Sequence, residues 1–252
     1  MCVDHLAKLP ALPDGPFEAS AERLVIEAPD GNRFRAFAAD SNQSRGGVVV
    51  LPDIRGLFGF YEDLAFRFAE EGFSAVAIDY FGRTAGTGER DEGFDFMEHV
   101  AQVTAPGFSA DIQAAVGHLR RRDADMRVFT VGFCFGGNMA WASATRHKEL
   151  RLSGAIGFYG KPDADRPAGD GPIWDRCGMI ECKVLSLFGG NDPGIPDENI
   201  DRLRAAMERA GVDYRSVTYP GAPHSFFDRT QSDHAAESLD AWHRMIDFMS
   251  GA

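Results

Sequence analysis

The stretch Gly132-Phe133-Cys134-Phe135-Gly136-Gly137 constrains the fold more than any other part of the chain. It follows the apolar run 127–131 and precedes small residues, 138–144, that can form a helix. A strand, a sharp turn and a helix in this order are the setting of a nucleophile elbow, in which glycines let the two backbones approach closely. The residue at the tip, Cys134, would then lie at the helix N-terminus, where the helix dipole favours an anion.

Cys134 has two interpretations when it is taken alone. A single cysteine after an apolar strand is most often a small buried hydrophobic residue. Core packing does not call for three glycines around a thiol, however, so Gly132, Gly136 and Gly137 favour a nucleophile. That interpretation requires an acid and a histidine at the ends of later strands.

The composition narrows the range of functions. The chain has 252 residues, of which 44% are hydrophobic and 25% charged, which is ordinary for a globular protein with one sizeable core. Lys and Arg number 26 against 38 Asp and Glu, so the formal charge is −12. This acidic balance argues against nucleic acid and anionic membranes as partners, although a local pocket can still be basic.

The N-terminus and the cysteines bear on the compartment. Residues 1–10 lack the apolar core of a signal peptide, and no apolar run approaches the roughly 18 residues that cross a bilayer. We therefore expect a cytoplasmic protein whose four cysteines, Cys2, Cys134, Cys177 and Cys182, are reduced. Cys177 and Cys182 have no matching His or Cys pair nearby, so no zinc site is expected. Cys182 is predicted to begin a core strand and Cys177 to lie in a loop.

The order of the predicted elements indicates one α/β domain. Asp30-Gly31 between the segments 23–28 and 33–38 predicts an N-terminal β-hairpin. Beyond it, apolar strands alternate with helices, which predicts a mainly parallel sheet flanked by helices. We expect an N-terminal extension at residues 1–22, a single domain at residues 23–252, and no large cap domain. The predicted strands are 47–51, 74–78, 128–131, 154–158, 184–188 and 214–219, and the predicted helices are 60–72, 109–121 with Ser109 as its cap, 198–210 and 233–249.

An acid and a histidine follow two of the later strands, where ligands bind in such sheets. Asp192 comes after the strand 184–188 in a Gly/Pro loop, although a lone Asp in such a loop is more often an ordinary turn residue. Asp197 is a weaker candidate, because it is predicted to be the N-cap of the next helix. His224 follows the strand 214–219. The other six histidines are predicted to lie on the surface or on helix faces: His5, His99, His118, His147, His234 and His243.

Cys134, Asp192 and His224 are far more specific together than apart. Their order, with separations of 58 and 32 residues, is that of nucleophile, acid and histidine in an α/β-hydrolase. We predict that His224 takes the thiol proton and that Asp192 holds the imidazole in the useful tautomer. The backbone N–H groups of Phe135 and Ile54 are predicted to form the oxyanion hole.

The motifs 132–137, 189–192 and His224-Ser225-Phe226 resemble those of the dienelactone hydrolase family, cysteine enzymes with the α/β-hydrolase fold. The resemblance runs from about Arg23 to the C-terminus. It implies hydrolysis of a lactone or a small activated ester through a thioester on Cys134, without a cofactor or a metal. A thiolate suits an activated carbonyl with a good leaving group better than an amide.

The same resemblance implies further site residues, and here the chain departs from the family pattern. The family carries a Glu after its first central strand that takes part in activating the thiol. The matching residue is Asp53, which either performs this role or only pairs with Arg55. Arg83 matches one of the arginines that hold a substrate carboxylate in the family. The second matches Asp228, and Arg229 could substitute only if the loop differs. An acid at position 228 would repel a carboxylate.

Three functions are therefore open. The first is a hydrolase of small lactones or activated esters. The second, indicated by Asp228, is an esterase or thioesterase that needs no carboxylate on its substrate. The third is a ligand-binding or thiol-sensing protein with an idle triad, indicated by the altered segment 53–55 and by the reactivity of elbow thiols. The expected partner is a small ester or lactone, the segment 84–107 is expected to border its pocket, and the chain is expected to be a monomer or a small homo-oligomer.

Overall fold

The computed structural model describes residues 7–90 and 93–251; Cys2 and His5 lie outside these ranges. Its strands are β1 (Ala19–Glu27), β2 (Arg33–Ser41), β3 (Gly47–Leu51), β4 (Ser74–Ile78), β5 (Val128–Phe133), β6 (Gly154–Phe158), β7 (Lys183–Gly189) and β8 (Tyr214–Tyr219). They form an eight-stranded sheet in the order β1-β2-β4-β3-β5-β6-β7-β8. β1 and β2 form the predicted hairpin, β2 also pairs antiparallel with β4, and the remaining neighbours are parallel.

Helices cover this sheet. They are α1 (Gly59–Glu70), α2 (Gly82–Ala85), α3 (Phe96–Val100), α4 (Ala105–Leu119), α5 (Phe135–Ala144), α6 (His147–Leu150), α7 (Asp197–Arg209) and α8 (Ala235–Ser250). The connection between β6 and β7 carries two short 3-10 turns, Ile173–Asp175 and Cys177–Met179. Residues 7–90 and 93–251 contain no large cap domain, as predicted. None of the helices formed by these residues is both long and apolar enough to span a membrane.

The start of α4 differs from the prediction. The helix begins at Ala105 and not at Ser109, because Thr104 occupies the N-cap position and its hydroxyl accepts a hydrogen bond from the N–H of Gly107. Pro106 lies in the first turn, where a residue without an N–H is tolerated. The capping residue therefore lies five positions earlier in the chain than predicted.

The N-terminal boundary also differs. β1 begins at Ala19, which pairs with Ser41, so the boundary expected between residues 22 and 23 falls inside a strand. The chain before β1 is attached as well, because the N–H of Phe17 donates to the carbonyl oxygen of Glu70 at 3.1 Å. The end of the expected extension therefore belongs to the sheet.

The centre of the sheet is the core. Every residue of β3, β4, β5 and β6 is buried, as expected of parallel strands that helices cover. The largest fully buried side chains include Trp141 in α5 and Trp242 in α8. Because β3 to β8 run parallel in the sheet, their carboxyl ends meet at one edge, and the loops at this edge carry the candidate site.

Candidate active site

Cys134 stands on a turn that requires glycine neighbours. Its backbone is in the left-handed region, with a φ of 55°, between the end of β5 and the first residue of α5. A Cβ atom on Gly132 would lie 1.8 Å from the carbonyl oxygen of Gly136, and one on Gly136 would lie 2.0 Å from the carbonyl oxygen of Leu51. These approaches between backbones leave no room for side chains, and the predicted elbow geometry is confirmed.

Cys134 differs from the other described cysteines in its exposure. Its thiol is partly accessible, while its N–H is fixed by the carbonyl oxygen of Phe158 at 3.0 Å. Cys177 lies in a 3-10 turn and Cys182 directly before β7, and both are buried. Burial raises the pKa of the Cys177 thiol to about 11 and that of the Cys182 thiol to about 12. Cys134 is therefore the accessible thiol among these three.

The loops after β7 and β8 are tied to each other by backbone hydrogen bonds. The N–H of Gly190 donates to the carbonyl oxygen of Tyr219 at 2.8 Å, and the N–H of Asn191 donates to that of Ala222 at 2.9 Å. Neighbouring parallel strands already bring these loops to the same edge. These hydrogen bonds hold Asp192, which follows Asn191, close to the loop that carries His224.

His224 connects Asp192 to Cys134. The N–H at Nδ1 of His224 donates to Oδ2 of Asp192 at 2.6 Å, and the ring also interacts electrostatically with the Cys134 thiol. Oδ1 of Asp192 accepts a hydrogen bond from the N–H of Gly194 at 2.8 Å, which fixes the carboxylate. The Asp192 side chain is 3% exposed and that of His224 is 27% exposed. Asp192 and His224, predicted from separate loops, are thus hydrogen-bonded to each other, and His224 is coupled electrostatically to Cys134. The acid is buried and the histidine is accessible.

The surroundings of His224 favour its charged form. Burial opposes the positive charge, but the hydrogen bond to Asp192, together with the interactions with the Cys134 thiol and with the charge of Asp192, outweighs it and raises the pKa of the imidazole to about 10. A histidine with a raised pKa is a strong base toward a neighbouring thiol. The arrangement therefore favours transfer of a proton to the ring.

Asp197, the weaker candidate for the acid, is not part of this arrangement. It is the first residue of α7 and is exposed, while Pro196 occupies the N-cap position and no side chain caps the helix. The predicted N-cap role is therefore wrong by one position. An acid in the first turn is still favourable, because the N-terminal end of the helix dipole is positive.

The two predicted oxyanion donors lie on neighbouring segments. Phe135 begins α5, and Ile54 lies in the loop after β3, whose last residue Leu51 pairs with Gly132 of β5. In the described part of the chain, neither the N–H of Phe135 nor that of Ile54 has a hydrogen-bond acceptor. Both groups are available to a ligand, and their role as an oxyanion hole stays a prediction.

Asp53 is bound to Arg55. Its carboxylate accepts hydrogen bonds from Nε of Arg55 at 3.0 Å, from Nη2, and from the backbone N–H at 2.8 Å. The side chains of Asp53 and Arg55 are only 7% and 6% exposed. Within residues 7–90 and 93–251, no hydrogen bond joins Asp53 to Cys134. Pairing with Arg55, one of the two alternatives from the sequence, is therefore observed, and a role in thiol activation stays a prediction.

Asp228 is buried beside this pair. It is 1% exposed and accepts hydrogen bonds from the hydroxyl of Tyr159 at 3.1 Å and from the backbone N–H of Arg229. Burial, together with the negative charge of Asp53, raises the pKa of the Asp228 carboxyl to about 6. Arg55 is attracted by both acids, so one buried cation serves two buried carboxyl groups.

The arginines considered for a substrate carboxylate are bound to acids of the chain. Arg83 donates to Oδ2 of Asp30 and to Oδ1 of Asp111, each at 2.7 Å, which ties it to the hairpin turn and to α4. Nε of Arg229 lies 3.8 Å from Oδ1 of Asp228. These contacts do not bring Arg83 to the thiol, and a substrate contact of Arg83 stays a prediction.

Three buried tyrosines were not predicted from the sequence. The hydroxyl of Tyr61 accepts a hydrogen bond from the N–H of Asp53 at 2.9 Å, and that of Tyr80 donates to the carbonyl oxygen of Pro52 at 3.1 Å. Tyr159 places its ring 4.9 Å from the His224 ring, centre to centre. Tyr159 directly follows β6, so its position after a predicted strand was a usable signal. Tyr61 lies inside α1 and gave no such signal.

The remaining described histidines lie away from the triad. His99, His118 and His243 lie on α3, α4 and α8, and His234 directly precedes α8. Their side chains are half-buried or exposed, as predicted. Among the described residues, no group of three or more His, Cys, Asp or Glu side chains is placed to hold a metal ion.

The sheet order and the elbow define an α/β-hydrolase fold. A sequence model of the dienelactone hydrolase family matches residues 34–252. The chain therefore belongs to the dienelactone hydrolase family, a family of hydrolases.

Relatives and solved structures agree with this assignment. The chain is 29% identical over 226 residues to a protein of Escherichia coli K12 named "Putative carboxymethylenebutenolidase", covering 86% of this chain and 82% of the relative. A protein of Methylorubrum extorquens with the same name is 30% identical over 207 residues, covering 80% and 70%. The crystal structure of a "Putative Dienelactone Hydrolase" from Klebsiella pneumoniae superimposes with a TM-score of 0.81 at 26% identity, covering 93% of this chain and 100% of that one.

Proposed function

We propose that the chain hydrolyses small lactones or activated carboxylic esters through a thioester on Cys134. One observation carries the proposal: Asp192 is hydrogen-bonded to His224, and the ring of His224 interacts electrostatically with the Cys134 thiol at the tip of the elbow. Membership of a hydrolase family supports hydrolysis, and the name shared by two relatives supports a lactone among the substrates to be tested.

In the acylation step, His224 takes the thiol proton while Sγ of Cys134 attacks the carbonyl carbon. The N–H groups of Phe135 and Ile54 donate to the oxygen that becomes negative. When the tetrahedral intermediate collapses, the C–O bond of the ester breaks and the imidazolium gives its proton to the leaving oxygen. The acyl group is then held on sulfur as a thioester.

In the deacylation step, His224 takes a proton from the attacking water. The C–S bond of the second tetrahedral intermediate breaks, the acid is released, and the proton on His224 balances the charge of the thiolate. Asp192 stays ionised throughout and stabilises the imidazolium in both steps. Its burial and its second hydrogen bond, from Gly194, support this role because they fix its orientation.

One observation favours a second candidate, an esterase or thioesterase whose substrate has no carboxylate beside the reacting carbonyl. Arg55, Arg83 and Arg229 all have acidic partners within the chain. The buried Asp228 adds negative charge when it ionises, and Asp53 already matches the charge of Arg55. These charges disfavour an anionic group next to the thiol.

The test of the covalent mechanism compares the wild type with Cys134→Ala and with the control Cys177→Ala, which removes a buried thiol. With p-nitrophenyl acetate, we expect turnover by the wild type and the control but none above background by Cys134→Ala. Acid-quenched intact protein should carry one acyl group in the wild type and none in Cys134→Ala. An unchanged rate in Cys134→Ala would reject the proposal. Rapid iodoacetamide labelling of Cys134 without turnover of any lactone, ester or thioester would favour the thiol-sensing alternative instead.

The two substrate classes are separated by charge. We expect p-nitrophenyl acetate to be hydrolysed with a higher kcat/KM than p-nitrophenyl hemisuccinate, whose acyl chain ends in a carboxylate. If the hemisuccinate or a dienelactone is preferred, and Arg83→Gln removes that preference, the carboxylate-dependent reaction is correct and the second candidate fails.

A further inference from the structure

Two buried tyrosine hydroxyls hold the same peptide group in the loop after β3. The carbonyl oxygen of Pro52 and the N–H of Asp53 belong to the one peptide unit that joins these residues. The hydroxyl of Tyr80 donates to this carbonyl oxygen at 3.1 Å. The N–H at the other end of the unit donates to the hydroxyl oxygen of Tyr61 at 2.9 Å. Because a peptide unit is planar and rigid, hydrogen bonds at both of its polar ends fix its orientation.

The two tyrosines reach this peptide from different elements. Tyr61 lies in the first turn of α1, and Tyr80 is the second residue after β4. Tyr61 is fully buried and Tyr80 is only 5% exposed. Burial raises the pKa of both hydroxyls well above the usual value for tyrosine. Both therefore stay protonated at neutral pH, and Tyr80 keeps the proton that it donates.

The rings of the same two tyrosines contact the residues on either side of Cys134. The centre of the Tyr61 ring lies 5.9 Å from that of the Phe133 ring. The Tyr80 ring meets the Phe135 ring edge-on, with the ring centres 5.2 Å apart. Each tyrosine thus holds the loop after β3 with its hydroxyl and the elbow with its ring.

The peptide unit itself also lies against the elbow. A Cβ atom on Gly136 would lie 2.4 Å from the carbonyl oxygen of Pro52, so α5 begins in contact with this unit. The residue before Gly136 is Phe135, whose N–H is one of the two proposed oxyanion donors. The peptide therefore connects the two segments that carry these donors.

Beyond this peptide the loop enters a tight turn that leaves one N–H unused. The N–H of Gly56 donates to the carbonyl oxygen of Asp53 at 3.1 Å, which closes a four-residue turn with Ile54 in its second position. Such a turn does not use the N–H of its second residue, and that of Ile54 has no acceptor in the described part of the chain. Only the Cα atom of Asp53 separates this N–H group's peptide unit from the unit that the tyrosines hold.

We propose that Tyr61 and Tyr80, the tyrosine clamp, are positioning residues for the oxyanion hole. Their hydroxyls fix the peptide unit 52–53 and thereby aim the N–H of Ile54 at the oxygen of the reacting carbonyl. This inference rests on the proposed hydrolysis, in which a carbonyl oxygen becomes negative and needs donors that are fixed in advance. Neither hydroxyl has to touch the substrate. The loss of either one loosens the donor without removing it.

The first test compares the wild type with Tyr61→Phe and Tyr80→Phe, which each lose one hydroxyl and keep the ring. With p-nitrophenyl acetate we expect kcat/KM to fall roughly tenfold in each variant, a part of the ~10² to 10³ that the loss of a whole donor costs. Alkylation of Cys134 by iodoacetamide forms no oxyanion, so its rate should stay within about twofold. The matched control is Tyr214→Phe, which removes a buried hydroxyl at the opposite edge of the sheet and should leave both rates unchanged.

The second test requires no turnover. Hydrogen exchange of the Asp53 amide, followed by NMR, should be roughly tenfold faster in Tyr80→Phe, although the Tyr80 hydroxyl contacts the other end of the peptide. The reversible adduct of Cys134 with 1,1,1-trifluoroacetone carries an oxyanion. As it forms, the S–H bond breaks, a C–S bond forms, the π electrons of the carbonyl move to its oxygen, and the proton goes to His224. The dissociation constant of this adduct, measured by protection from iodoacetamide, should rise roughly tenfold in both clamp variants.

An Asp53 amide that exchanges at the wild-type rate in Tyr80→Phe would overturn the proposal. Equal losses of the esterase and alkylation rates would also overturn it, because the hydroxyls would then act on the thiol or on the whole fold. Thermal unfolding verifies that the variants are folded, and if one is not, the other decides, since both hold the same peptide. A wild type without turnover whose ketone adduct is weakened in the clamp variants would reject the proposed function and leave the clamp standing. A wild type with turnover that both variants match would reject the clamp alone.

Discussion

The substitution Asp192→Asn tests the central contact of the candidate site. It keeps the size of the side chain and removes its negative charge. The amide nitrogen of Asn is able to donate to Nδ1 of His224, which places the ring proton on Nε2 and leaves no acceptor for the thiol proton of Cys134. We therefore expect a loss of the proton-transfer step with little change in the shape of the site.

The size of the loss follows from the charge state of His224. Burial lowers the pKa of the imidazole, but hydrogen bonds and charges raise it to about 10 from 6.5, a net preference for the imidazolium of ~5 kcal/mol. The hydrogen bond to Asp192 is the largest of the raising effects, and the Asp192 charge adds to it. If Asp192 supplies about half of the net preference, its removal costs ~2.4 kcal/mol, or roughly 60-fold in rate. The tautomer with its proton on Nε2 cannot accept the thiol proton and lowers the rate further. We therefore expect a fall of ~10² to 10⁴ in kcat/KM.

The assay is the hydrolysis of p-nitrophenyl acetate between pH 5 and pH 10. KM should change little, because the Asp192 side chain is 3% exposed and lies behind the histidine. The matched control is Asp197→Asn, an exposed acid in the neighbouring helix, which should stay within twofold of the wild type. A folded Asp192→Asn variant with less than a fivefold loss would refute the assignment of Asp192 as the acid partner of His224.

Three further predictions concern stability. Gly136→Ala should abolish the folded state or lower the thermal midpoint by more than ~10 °C, because its Cβ would lie 2.0 Å from the carbonyl oxygen of Leu51. The control is Gly117→Ala in α4, where an added Cβ would meet no atom within 4 Å, and it should be neutral or stabilising in the same thermal scan. The raised pKa of Asp228 means that the folded state favours its neutral form. The stability that the neutral carboxyl contributes is fully present below pH 3.8 and is lost as the pH rises to about 6. Asp228→Asn should therefore be more stable than the wild type at pH 7, by up to ~3 kcal/mol in urea denaturation, and a lower stability would contradict the assignment. Asp53→Asn should lose ~3 kcal/mol by leaving the buried Arg55 without its main partner, and Asp53→Asn with Arg55→Met should regain most of it. If the double variant keeps the esterase rate, Asp53 has no part in thiol activation.

The parts of the fold that were predictable from the sequence are those where the pattern of apolar residues is compatible with a single type of element. β3 and β4 have the predicted bounds, because a continuous apolar run between turn residues is typical of a strand buried on both faces. The start of β1 was missed for the opposite reason. The four residues after Ala19 are all exposed, so they carry no apolar alternation, and only their pairing with β2 makes them a strand.

The candidate triad was predictable for a related reason. Asp192 and His224 are short side chains in tight loops, and the fold fixes where such loops meet. The partners of an arginine are harder to predict, because its long side chain can reach acids anywhere within a wide volume. Arg83 follows a strand, as expected of a ligand-binding residue, but its partners Asp30 and Asp111 come from elements far away in sequence. No local pattern indicates such a choice.

The cluster of Asp53, Arg55 and Asp228 shows why the charge of the site cannot be inferred from single positions in the sequence. Taken one at a time, a shorter acid at position 53 and an acid at position 228 are two separate departures from the family pattern. In the folded chain they share Arg55, whose buried charge requires a carboxylate partner. With Asp228 protonated the three side chains are neutral together, and with Asp228 ionised they carry one negative charge. Either way, these three side chains offer no excess positive charge to a substrate anion. The preference of the site for a neutral or a charged substrate therefore depends on how these side chains pair with one another, and no single residue determines it.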